Sequence, residues 1–332
     1  MKPRKEMRRW LGDTAAQAAT FGAIEETMRR LQSLPFMTRL RSELDDTPGD
    51  DAEAALAAVA RALGEGERLE EALACLVEAA AADPFVRPAL RSIHGEVNTG
   101  IVLFEHRRVT LVLACVPAEA LAAKRARRAG PASIVFTGQQ SLYKILRSGG
   151  ATFSFWEAPP ISAEFSAPQS GTCRLAERRP VRDGELLRLD GRCRTFVVDH
   201  AARDIVYLHA TTASGAAPLA VEYDDRTMRF AGASSTDEAG SRAQLMLSLL
   251  RTMERSDALP VFLDMLRHRH FYARWQAMRE LLALDAGAAL PHLRDMAERD
   301  VHPEVRAAAA ATLAACFPQA AAVAPTAELE LS

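Results

Sequence analysis

The sequence predicts an α+β protein in three parts: a helical N-terminal region, a β-rich barrel or sandwich in the middle, and paired helices at the C-terminus. Three observations lead there. Ala, Leu, Glu and Arg dominate residues 1–92 and β-branched residues are scarce, as in helices. From about residue 93, short apolar runs alternate with Gly, Pro or Asp joins, the pattern of strands and turns. After residue 233 the apolar positions return to helical spacing. The expected parts are a helical lead-in over 1–92, a β domain over 93–232, helical repeats over 233–318 and a disordered tail over 319–332.

Composition narrows the classes. At 332 residues the chain can build two or three cores, since domains usually run ~100–200 residues. With 48% hydrophobic and 25% charged residues it is globular. A net charge of −2 gives no global attraction to nucleic acid or anionic membranes. The basic start MKPRKEMRRW is not followed by the apolar core of a secretory signal, and no run approaches a membrane span. Cys75, Cys115, Cys173, Cys193 and Cys316 are scattered without a CxxC pair, which argues against a disulfide framework or a zinc knuckle. The expected location is the cytoplasm.

In the first part, Leu56, Val59, Ala60 and Leu63 recur at helical spacing after the break at Thr47–Asp51. A further helix near 67–81 places Leu69, Leu73, Leu76 and Val77 on one face. In the second part, Ile101–Phe104 and Val109–Val116 flank a charged turn and read as a hairpin. A helical insert, Pro117–Ala129, carries Lys124, Arg125, Arg127 and Arg128. Strands are then expected at Ser133–Thr137, Leu142–Leu146, Ala151–Trp156, Cys173–Glu177, Leu186–Leu189, Thr195–Val198, Ile205–His209, Leu219–Tyr223 and Met228–Phe230. Ser234–Glu238 supplies N-cap residues and first-turn carboxylates for the helices that follow.

Two of those helical segments align at a constant offset of 32 residues: His270, Arg274, Ala277 and Leu281 recur as His302, Arg306, Ala309 and Leu313. Each is preceded by another helix, near 258–267 and 287–299, so the repeating unit is a helical hairpin. Val305, Ala309, Leu313 and Cys316 form the expected inward face. The stretch Asp300-Val-His-Pro303-Glu-Val305-Arg306 resembles the HEAT-repeat pattern over about 258–316. The resemblance implies a helical surface offered to a protein partner.

The middle resembles the cupins over about 95–232. Asp183-Gly184 leading a strand into the turn at Asp190-Gly191 is similar to their second conserved stretch, and Ser133–Gly138 to the strand and glycine after their first motif. The resemblance implies a β-barrel fold. Where that family carries a metal-binding histidine this chain has Arg194, and Lys124–Arg128 stands in place of the upstream histidine pair. No cofactor is therefore expected.

An alternative metal site is His94-Gly95-Glu96 with His200 or His209 as distal ligand, a spacing that suits non-haem iron. His268 and His270 are not on one helical face and have no tetrahedral partner set, so they read as helix-entry residues. No G-x-S-x-G, P-loop or GxGxxG is present. The basic run 124–128 reads as a solvated helix face, and nucleic acid is not the expected partner. Phe153, Phe155 and Trp156, followed by Glu157-Ala158-Pro159-Pro160, suit an aromatic-lined pocket, with Trp156 on the opposite face and open to contact. Taken together these residues point to a non-catalytic binding or accessory protein. Its β domain takes a small ligand or peptide through Phe153, Phe155, Trp156 and Arg194, and its repeats take a protein partner. The competing expectation is a metal-dependent oxygenase or similar enzyme using His94, Glu96 and a distal histidine.

Overall fold

Three helices of the N-terminal region begin at residues suited to begin one. Asp13 Oδ1 accepts from the Ala16 N–H and caps α2 (Thr14–Ser33), which follows the short α1 (Lys5–Leu11). Pro35 opens α3 (Pro35–Asp45), where its missing N–H loses nothing. Asp51 Oδ1 accepts from Glu53 and Ala54 at the start of α4 (Ala52–Gly64), and α5 (Gly66–Ala82) completes the set. This computed structural model describes residues 5–49, 51–64, 66–127, 132–212 and 214–318, the side chains of 66–69 excepted. The first four residues, Asp50, the Leu69 side chain, Arg128, Ala129 and the tail from Gln319 lie outside the described residues.

The chain divides into two compact units. One comprises Met1–Pro160, Gly171–Ala217 and Val221–Gly232; the other comprises Ile161–Ser170, Pro218–Ala220 and Ala233–Ser332. The fold class is α+β, with antiparallel sheets between helical segments.

In the first unit the strands are β1 (Ser92–His94), β2 (Thr99–Glu105), β3 (Val109–Val116), β4 (Ser133–Phe136), β5 (Gln140–Arg147), β6 (Thr152–Glu157), β7 (Arg174–Pro180), β8 (Leu186–Asp190), β9 (Arg194–His200), β10 (Ile205–Thr212) and β11 (Leu219–Asp224), with β12 (Phe230–Ser235) leading out. The insert after β3 is α6 (Ala118–Ala126). Among the described residues they form three sheets, ordered β1-β2-β3-β10-β5-β8, β7-β6-β9 and β12-β11-β4. Side chains alternate across a strand, so the six-stranded sheet has two apolar faces. Leu142, Leu208 and Ala210 point one way and pack on Leu56, Val59 and Leu63 of α4. Tyr143, Ile145, Tyr207 and Leu187 point the other way and meet Phe153, Phe155 and Phe196 of the β7-β6-β9 sheet.

The strand expectations are met along the middle region up to β11, with β1 added; the last expected strand, Met228–Phe230, falls mostly in the turn where Met228 takes a φ of 60°, and β12 runs instead from Phe230 to Ser235. The α5 face differs from the expected one. Ala72 and Cys75 are its buried residues and Leu73 and Leu76 flank them, whereas Val77 is 68% exposed. The small Ala72 and Cys75 side chains let α2 approach closely, and the Cys75 thiol reaches the Thr27 carbonyl at 4.0 Å. β7 lies at a sheet edge and is exposed almost throughout, with Arg174, Glu177 and Arg178 along it.

Gly138 and Gly191, from segments far apart in sequence, meet. The Gly138 N–H donates to the Gly191 carbonyl at 3.0 Å, and the Gly191 N–H to the Gln139 carbonyl at 2.9 Å. A Cβ on Gly191 would collide with Thr137 Oγ1 and the Gln139 carbonyl. This approach positions Arg194, three residues on. Gly191→Ala is expected to lower the unfolding free energy by about 1–3 kcal/mol, read from denaturant midpoints.

In the second unit, Asp237 accepts from Gly240 and caps α7 (Glu238–Thr252). The helices α8 (Leu259–Met265), α9 (Phe271–Leu284), α10 (Ala286–Arg299) and α11 (Pro303–Cys316) follow, as the 32-residue offset anticipates. Phe262, Met278, Leu281, Leu293, Val305 and Ala309 form their core. Cys316 is exposed, with Leu313 and Phe317 on either side of it packed against that core, and it is not part of the inward face.

The recurring residues have recurring partners. Arg274 Nη1 donates to the carbonyl of His268 at 3.0 Å, and Arg306 Nη1 to that of Asp300 at 2.6 Å. Each arginine thus turns back six residues to bind the loop that enters its own helix. Arg274 also forms a bidentate pair with Asp300, at 2.8 and 2.6 Å, both side chains being buried. His270 and His302 sit at the N-cap positions of α9 and α11 with extended backbone, the expected helix-entry role. His302 stacks on Phe271 at 3.8 Å.

Burial raises the Asp300 carboxyl, but the hydrogen bonds from Arg274 and the His302 N–H, together with the nearby Arg274 charge, outweigh it and leave the group below its ordinary value. A depressed carboxylate stabilises the fold above its unfolded value, near 4, and that contribution is lost as pH falls through the lower folded value. Arg274→Ala should destabilise the helical unit by about 3–5 kcal/mol, because it leaves a buried charge unpaired. Thermal unfolding of the variant should show its largest deficit at neutral pH and a shrinking one below about pH 4.

Candidate functional site

The two facing sheets of the first unit enclose an aromatic interior that alternation alone builds. On β10, Ile205, Tyr207 and His209 share the inner face; on β5, Tyr143 and Ile145 do so, opposite His209 and Tyr207 respectively. From β6 come Phe153 and Phe155, and from β9 Phe196, paired directly with Phe155. The rings touch in a chain. His209 stacks on Tyr143 with centroids 4.1 Å apart and planes 9° from parallel. Tyr143 meets Phe196 edge-on at 5.0 Å, and Phe196 stacks on Phe153 at 4.5 Å.

Charge enters this interior at one end. Arg194 opens β9 and holds its guanidinium 5.7 Å over the Phe155 ring, and Arg179 of β7 lies 4.9 Å over the same ring. Arg179 is satisfied by Glu177 at 3.2 Å and Glu185 at 2.7 Å. Arg194 Nε is shut off from solvent and has no hydrogen-bond partner, and the same holds for His209 Nε2 and Trp156 Nε1.

The other titratable groups of the interior stay neutral. Burial depresses the His209 imidazole from its ordinary value to about 4. Burial likewise raises the Tyr143 hydroxyl, with Tyr207 adding to it. Tyr207 is raised by burial, against an opposing hydrogen bond from Asn98. At neutral pH the lining is therefore aromatic rings and uncharged polar groups beside Arg194, a part-buried cation with no ion-pair partner among the described residues.

The sequence-derived candidates separate. Phe153 and Phe155 are fully buried core residues of this interior. Trp156 has the opposite parity, opposite Thr195, and is half-buried with an enclosed indole N–H rather than freely exposed. His94, on the edge strand β1, places Nδ1 3.2 Å from Thr99 Oγ1 and borders an open groove of about 540 Å³ with Arg87, Ile101, Leu113 and Cys115. Glu96 pairs with Lys124 Nζ at 2.6 Å. His200 is exposed at the end of β9, opposite Thr152. His209 alone of the metal candidates faces the aromatic interior. Among the described residues, no three His, Cys, Asp or Glu side chains gather into a metal-ligating group.

The basic run on α6 is largely engaged locally: Lys124 with Glu96, Arg125 with the Val198 carbonyl at 3.3 Å and Asp199 at 4.0 Å, and Arg127 with the Ala123 carbonyl. Sequence reasoning missed Tyr143, Tyr207 and Phe196. Their signal was parity, since each falls two positions from another inward residue on a strand already expected.

The fold is an α+β architecture with a β-sheet core and helical repeats. Among protein families, the one described as HEAT repeats matches residues 231–314. No curated protein matches the sequence. Solved structures similar to this chain include ectoine synthase from P. lautus, at 12% identity, 37% of this chain, 69% of that chain and a TM-score of 0.23. KdgF from Halomonas sp. follows at 9% identity, 37% of this chain, 85% of that chain and a TM-score of 0.22. A cupin domain from Bordetella pertussis has 9% identity, 38% of this chain, 95% of that chain and a TM-score of 0.19. These likenesses are slight, and the strand order and register stand without them.

Because His209 is neutral when folded and titrates near 6.5 when unfolded, the unfolded chain binds the extra proton between pH 6.5 and about 4. Stability should fall across that window on acidification, by a few kcal/mol at most, about 1.4 kcal/mol per unit. His209→Phe should flatten this slope in a pH series of urea unfolding curves.

Proposed function

We propose that the chain is a non-catalytic binding protein. The β unit holds a small ligand or peptide through Phe153, Phe155 and Arg194 of its interior and Trp156 on the opposite face of β6, and the helical repeats engage a protein partner. With it goes the division of the chain at about residues 92, 232 and 318, and a cytoplasmic location. Among the described residues no helix is long and apolar enough to cross a membrane.

The observation that carries the partner half is the outer face of α7. Leu245, Met246, Leu249 and Met253 recur at i, i+1, i+4 and i+8, and all four are exposed, Leu245 by 71%. Leu247 of the same helix is buried in the core, so the helix is apolar on two sides. A contiguous exposed apolar stripe on a repeat array fits a partner carrying an apolar segment of its own.

The paired substitution Leu245→Glu with Leu249→Glu should abolish co-purification of a specific partner seen with the native chain, while thermal unfolding shifts little. Retention of that partner by the folded double variant would count against the reading. A metal-dependent enzyme would instead use His94, Glu96 and His200 or His209. Stoichiometric iron in purified protein, lost in His94→Ala, would put that enzyme in place of the binding protein.

A further inference from the structure

We propose that Arg194 is the anion-recognising residue of the β interior and that the ligand held there is a small organic anion, its carboxylate or phosphate paired with this guanidinium. The inference rests on the ligand-binding reading above and adds the chemical class of the ligand.

The neighbouring arginines make the case by contrast. Arg192, two residues earlier in the same turn, is consumed by Asp190: Nε lies 2.9 Å from Oδ1 and Nη2 2.7 Å from Oδ2. Arg179, over the same ring, has Glu177 and Glu185. Glu157 stands opposite Arg194 in the β6–β9 register, yet its carboxylate binds Arg174 across β7. Among the described residues no carboxylate lies within ion-pair distance of Arg194, although it is surrounded by strands that carry several.

A guanidinium cannot shed its charge at any relevant pH. Placing one over an apolar ring with Nε shut off from water and unbonded is unfavourable unless an acceptor arrives. The group is also held where it is. Arg194 follows the Gly191 turn, whose backbone is pinned to Gln139 and Gly138, and its ring contact limits the side chain. A preoriented planar fork suits a carboxylate or phosphate better than it suits a lone water. His209 Nε2 is a further unbonded, enclosed polar atom of the same aromatic lining, its ring fixed by the stack on Tyr143. The aromatic chain between them favours an apolar body.

Calorimetric titration of the full chain with benzoate, phenyl phosphate and the neutral isostere benzamide tests this. At least one of the two anions should bind tenfold or more tightly than benzamide, on the order expected for one charge-assisted pair. The better anion identifies carboxylate or phosphate as the recognised group. Arg194→Gln should erase the preference, Arg194→Lys should keep part of it, and Arg192→Gln should leave it whole. If benzamide binds as well as both anions, or folded Arg194→Gln keeps the preference, the inference is overturned while the ligand-binding reading stands. If none of the three binds, both fall. Should the Gln variant not fold, the ratio of anion to benzamide affinity in the native chain decides the question.

Discussion

The six-stranded sheet must satisfy two apolar surfaces at once, and most of the first unit follows from how it does so. Because successive side chains point to opposite faces, β5 and β10 each divide their residues between a helical cover and an aromatic interior. Leu142, Leu208 and Ala210 serve α4, while Tyr143, Tyr207 and His209 serve the opposing sheet. The helices α2 to α5, whose buried residues share one core with these strands, are thus part of the sheet's burial. A one-residue slip in either strand would send Tyr143 and His209 into the helices and leave leucines against Phe196.

Chemical character follows from that division. The helix-facing side is mainly aliphatic, and the inner side carries Tyr143, Tyr207 and His209 among its apolar rings. Burial keeps His209 and both tyrosines uncharged, so Arg194 sets the sign of the interior.

Much of this architecture was legible beforehand, and the reasons differ by element. Strands such as Val109–Val116 and Ile205–Thr212 declare themselves by β-branched content and punctuation. The helical hairpins declare themselves by repetition, since His270 and His302 occupy the same N-cap position 32 residues apart. The α5 face was misjudged because the sequence marks large apolar residues, whereas the helix packs through Ala72 and Cys75 at a close crossing. β1 escaped notice because three residues carry no periodicity. The site was less legible still. Parity shows that Tyr143 and His209 share faces with their neighbours on each strand, but not that those faces meet Phe196. The Arg274–Asp300 pair joins residues 26 apart that no local pattern connects.

The outer strand β7 closes its sheet with Arg174, Glu177 and Arg178 standing along an otherwise unpaired backbone. Two copies meeting there in parallel register would set arginine against arginine, and the long side chains would hinder the approach of any other strand. End-to-end growth into ribbons is thereby discouraged at the rim where backbone donors and acceptors stand free, and association is left to surfaces that recognise side chains.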